Sequence, residues 1–68
     1  MNNRIRELRE RAGLTQAALA ELTGVSRQAI NAVETGKYDP SIWLAHAVSK
    51  VFGRPIEEIF IFEEGEGK

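Results

Sequence analysis

The chain has 68 residues, 43% of them hydrophobic, with no cysteine, one histidine and a formal net charge of -1. That length allows one domain with a limited core. The composition excludes a disulfide framework and a thiolate metal site, and no apolar run approaches the ~20 residues needed to cross a bilayer. The net charge conceals an asymmetry: residues 1–54 hold eight Lys/Arg against five acids, a net +3, whereas residues 55–68 hold one lysine against five glutamates, a net -4. With a charged, Asn-rich start in place of a signal-peptide core, the expected location is the cytoplasm.

Asn2 or Asn3 is placed to cap a first helix that runs to about residue 12, with Ile5, Leu8 and Ala12 on one face and Gly13 as its stop. Its remaining faces are charged, and Glu7 and Arg11 stand in the favourable i, i+4 order. Thr15 caps the second helix, which carries Ala18, Leu19 and Leu22 inward. The chain must then turn at Thr23, Gly24 and Val25, where Gly24 can take φ > 0 without steric cost. Ser26 caps the third helix, roughly 27–35, with Ala29, Ile30 and Val33 on one face and Arg27, Gln28, Asn31 and Ala32 toward the other. Gly36 ends it.

Residues 37–41 form a loop in which Asp39 is a suitable N-cap and Pro40 suits the first position of a fourth helix, about 40–52. That helix turns Ile42, Ala45, Val48 or Ser49, and Phe52 inward, and Gly53 stops it. Beyond Pro55, residues 56–60 read as one or two helical turns, and the run Ile59, Phe60, Ile61, Phe62 predicts a short strand at 60–63. Residues 63–68 are too acidic and glycine-rich to fold alone, so the domain spans 1–62 and the tail is expected to be disordered.

Two short helices joined by a glycine turn, with aliphatic residues at fixed offsets in both, match a helix-turn-helix signature. Through LTQAALAELTGVSRQAINAVETGKYDPS, with RIRELRERAG before it and VSKVFGRPIEEIF after it, the sequence resembles the Cro/cI-type, or xenobiotic-response-element-type, DNA-binding domain over about residues 3–60. The resemblance implies an all-α, compact lambda-repressor-like bundle of four to five helices, here with the short C-terminal strand. It also implies that the third helix lies in the major groove, and it pairs Arg9 with Glu34 as a structural ion pair hidden from water.

In that setting Gln16 is similar to a family glutamine that contacts a phosphate at a helix N-terminus. Ser26, Arg27 and Gln28 stand where base edges are read, Asn31 follows one turn later on the same side, and Lys37 and Tyr38 match the resembled pattern and join the DNA-binding set. Their chemistry fits: an arginine fork matches guanine O6 and N7, and a Gln or Asn amide matches adenine N6 and N7, each worth ~1–3 kcal/mol of discrimination. An ordinary solvated helix face would account for the same polar residues taken singly. Ala32 stands where relatives carry a longer polar group, which implies either that fewer bases are read or that it contacts a thymine methyl.

Catalytic chemistry has no matching set of residues, and no cofactor is implied. His46 alone cannot build a metal site, so its role is structural. The function that follows is a sequence-specific transcriptional regulator, a repressor that binds double-stranded DNA at a near-palindromic operator as a homodimer. The dimer interface is expected at Ile56, Phe60 and Phe62 with Trp43 at its rim, because one small chain has few ways to cover that apolar end. Short regulators of the resembled family dimerise through this end, some with a C-terminal strand paired to the N-terminal segment, here 2–5. The alternative is an antitoxin-like or other protein-interaction module of the same fold.

Overall fold

Local capping chemistry sets the element boundaries. In the structure, a computed structural model that describes residues 1–62, the order is α1 (Ile5–Arg11), α2 (Gln16–Thr23), α3 (Arg27–Glu34), α4 (Ile42–Phe52) and α5 (Ile56–Ile59). The Thr15 hydroxyl accepts from the Ala18 N–H, and the Ser26 hydroxyl accepts from the Ala29 N–H, each satisfying an orphan donor of a first turn. Between them Gly24 takes φ 76°, and its N–H and that of Val25 both return to the Ala20 carbonyl. A Cβ-bearing residue would be strained there, so the angle between α2 and α3 depends on this glycine.

Ile5, Leu19, Ile30, Val48 and Ile59 are fully buried, one from each helix, and Leu8, Ala20, Val33, Leu44, Ala45 and Phe60 complete the core. The expected apolar faces need three corrections, the first being Ala12, which caps the end of α1 and is exposed. Leu22 is 60% exposed, because the buried stripe of α2 runs through Leu19 and Ala20 and position 22 falls off it. Ile42 is 76% exposed, because as the first residue of α4 it overhangs the core edge, and Leu44, Ala45 and Val48 carry the burial.

The start of α4 is also corrected. Ser41, not Asp39, is the N-cap, accepting from the Leu44 N–H at 3.1 Å, and Pro40 lies outside the helix. The Asp39 carboxylate instead lies 3.3 Å from the Met1 amine. At the start of α1 neither asparagine occupies the N-cap position, which is Arg4. Asn3 acts from one residue further out: its Oδ1 accepts from the Ile5 N–H and its Nδ2 donates to the Val33 carbonyl at 2.8 Å, tying α1 to α3.

The strand expected at 60–63 contracts to one antiparallel bridge between Asn3 and Phe60. Arg4 N–H donates to the Ile59 carbonyl at 2.7 Å and Ile61 N–H to the Asn2 carbonyl at 2.8 Å, so the two ends of the domain close on each other within one chain. The last position of that expected strand, and the tail at 63–68, lie outside the described residues. His46 is exposed on α4 and takes no part in the core. Among the described residues no helix is long and apolar enough to cross a membrane, and no group of three or more His, Cys, Asp or Glu is placed to hold a metal ion.

Candidate nucleic-acid interface

With Ile30 and Val33 committed to the core, the opposite face of α3 is left to solvent. Arg27 and Gln28, in the first turn after the Ser26 cap, and Asn31 one turn later are all exposed. Together with Gln16 they line an open polar depression of about 320 Å³. The α2 and α3 N-termini therefore meet at one surface. Lys37 and Tyr38 follow α3 with their N–H groups on the Ala32 carbonyl, at 2.9 and 3.2 Å, and both side chains are exposed. Ala32 is half-buried beside Tyr38 in a separate, less polar recess between α3 and α4.

A second polar depression of about 360 Å³ is lined by Arg6, Arg9, Glu10, Gln16, Asn31, Glu34 and Thr35. Gln16 and Asn31 belong to both, so the polar surface is continuous from the start of α3 to its end. Arg6, Glu10 and Thr35 are residues that sequence reasoning did not place here. The charges of α1 other than Arg9 read from sequence only as a solvated face, and the 3.2 Å contact between exposed Arg6 and Glu10 fits that description.

Under this surface Arg9 and Glu34 meet. Arg9 Nε donates to Glu34 Oε2 at 2.8 Å and Nη2 to Oε1 at 3.1 Å, a two-pronged pair with side chains 13% and 4% exposed. Arg9 Nη1 also donates to the Leu14 carbonyl at 2.9 Å, just ahead of the Thr15 cap. Gln16 Nε2 donates to Glu34 Oε1 at 3.0 Å, a bond that no sequence pattern signals. Burial alone would push the Glu34 carboxyl up, but hydrogen bonds from Arg9 and Gln16 and the guanidinium charge together hold it below the usual carboxylate range. The hydrogen bond to Glu34 raises Arg9 in turn.

A separate, mostly apolar groove of about 390 Å³ is lined by Met1, Pro40, Ile42, Ala45, Ile56, Phe60 and Phe62, with Asp39 and Ser41 as its polar members. Trp43 is 80% exposed next to Ile42, and Phe62 is 49% exposed. Phe60 is different. At 1% exposure it is spent on the chain's own core and has no surface to offer at the centre of an interface, where sequence reasoning put it. Ile42, 76% exposed, lines the groove instead, although its apolar spacing to Ala45 reads as core.

The helix-turn-helix family pattern matches residues 5–59. A protein named as an uncharacterized HTH-type transcriptional regulator from Methanocaldococcus jannaschii is 52% identical over 66 residues, covering 97% of this chain and all of the relative. A second of that description, from Methanothermobacter thermautotrophicus, is 51% identical over 69 residues and covers both chains completely. Among solved structures, the N-terminal DNA binding domain of SinR from Bacillus subtilis superposes with a TM-score of 0.73 at 29% identity, covering 79% of this chain and 80% of that domain.

Proposed function

We propose, from the premise that this chain belongs to the helix-turn-helix family, a family of DNA-binding regulators and not of enzymes, that it is a sequence-specific transcriptional repressor of the cytoplasm. One observation carries this reading: Gln16, Arg27, Gln28 and Asn31 converge on a single polar surface at two helix N-termini. The N-termini offer partial positive charge and N–H groups to phosphates, and α3 offers a guanidinium and amides to base edges. Repression follows from occupancy, since a domain seated in the major groove excludes other proteins from the same site.

Arg27→Ala and Gln28→Ala are expected to relax base preference at particular positions of the target, by ~1–3 kcal/mol each. Gln16→Ala should weaken binding to all sequences alike, because phosphates carry no sequence information. Binding profiles across single-base variants of a duplex enriched from a random pool separate the two. A uniform loss from Arg27→Ala would put it on the backbone, and failure of the wild type to enrich any sequence would remove the DNA reading.

The target is near-palindromic and the protein acts as a two-fold homodimer, with two α3 helices ~34–36 Å apart on successive major-groove turns. The apolar groove with exposed Ile42, Trp43 and Phe62 supports this, since an uncovered patch of this kind on a small chain calls for a second surface. Phe62→Asp should therefore shift the protein from dimer to monomer in sedimentation at micromolar concentration. The same groove favours a second reading, a protein-interaction module whose groove holds a different polypeptide; a wild type that sediments as a monomer and binds DNA without sequence preference would favour it.

A further inference from the structure

Glu34 closes α3 with a carboxylate that receives three N–H donors, two from Arg9 and one from Gln16. Gln16 is the first residue of α2 and lines both polar depressions. Resting on the DNA-binding reading above, we propose that Glu34 is a positioning residue, which fixes the Gln16 amide so that it meets a DNA phosphate already in the productive orientation. A free glutamine amide can present either its oxygen or its nitrogen. Here the choice is made by charge: the amide oxygen turned toward Glu34 would face a carboxylate, so the nitrogen turns in. One of its two hydrogens is held by Glu34 at an N···O distance of 3.0 Å. The other is left for an anion at the N-terminus of α2, beside the N–H groups of that helix's first turn.

Arg9 makes this arrangement compatible with a nearby phosphate. A lone carboxylate under the surface would repel the DNA, but the guanidinium cancels it, leaving the cluster neutral. Through its bond to the Leu14 carbonyl, Arg9 also fixes the backbone that leads into the Thr15 cap and so the place where Gln16 starts. One network therefore sets both the backbone and the side chain of the phosphate contact, and registers them to α3. The gain is preorganisation: rotamer freedom is surrendered on folding instead of on binding.

The test compares the cost of Gln16→Ala in two backgrounds, on the duplex that the wild-type protein enriches from a random pool. The second background is R9M/E34M, which removes the network, leaves no buried charge unpaired and keeps the cluster's net charge at zero. In the wild type, Gln16→Ala should weaken binding about tenfold per half-site, the scale of one hydrogen bond to a charged group. In R9M/E34M the same change should cost about threefold or less. Equal factors in both backgrounds would overturn the positioning role while leaving the phosphate contact in place. No cost in the wild type would overturn the phosphate contact and the positioning role with it. Should R9M/E34M fail to fold, nitrogen relaxation of the Gln16 side-chain amide in the free wild-type protein decides: a rigid amide is expected, and one that reorients freely would overturn the inference.

Discussion

Arg9→Met on its own is expected to lower the unfolding free energy by ~3–5 kcal/mol, because it leaves the Glu34 carboxylate, 4% exposed, without its counter-charge. Glu34→Met should cost a similar amount by stranding the guanidinium, which is 13% exposed. A domain of this size has roughly 3–10 kcal/mol in total, so either single change removes a large part of it. The double variant R9M/E34M should recover most of the loss, since two apolar chains of similar length replace the pair and no charge is left unpaired. Urea melts of the four proteins form the cycle. Coupling near zero would mean that both side chains are solvated in solution. The same pair fixes the direction of the acid response. The Glu34 carboxyl is held below its ordinary range, so its contribution is complete above the unfolded-state pKa and is lost as pH falls through the folded one. Arg9, raised by its partner, stays charged throughout and adds no slope in that window. Stability should therefore fall on acidification, and R9M/E34M should show the shallower fall.

Much of this architecture was legible in the sequence because it rests on local chemistry. Thr15, Ser26 and Gly24 act through hydrogen bonds and a backbone angle reaching no more than four residues away, and residue type and spacing suffice to place them. What failed was choice between neighbours. Asp39 and Ser41 are both good caps in sequence, and the Met1 amine, which lies beside Asp39, cannot be seen from a local window. Leu22 and Ile42 were read inward because a helical period assigns a face but not where the core stops. Exposed polar residues of α3 could be named, whereas the bond from Gln16 to Glu34 joins residues 18 apart and depends on the angle between α2 and α3. No periodicity encodes that angle.

The run Ile59, Phe60, Ile61, Phe62 shows the same limit and gives the other large expected effect. Alternation along a strand puts Phe60 and Phe62 on one face, and both were placed in an interface. The structure separates them: Phe60 is 1% exposed within the core, while Phe62, after the single bridge to Asn3, is half out. Phe60→Ala should thus cost ~3–5 kcal/mol, the transfer term of a buried ring plus the cavity it leaves. Further loss follows from the N-terminal segment, because the bridge at Phe60 holds Asn3, and Asn3 holds the end of α3 through the Val33 carbonyl. At about 4–8 °C per kcal/mol for a domain of this size, the melting temperature should drop by at least ~12 °C. The decisive feature is concentration dependence. Loss of an intrachain core lowers the melting temperature by the same amount at micromolar and at hundred-micromolar protein, whereas loss of a dimer contact is largely recovered by mass action. Phe60→Ala should follow the first pattern and Phe62→Asp the second, read by far-ultraviolet circular dichroism at both concentrations. A Phe60→Ala protein that dissociates but melts unchanged once concentrated would return Phe60 to the interface and reverse the division of labour between these two rings.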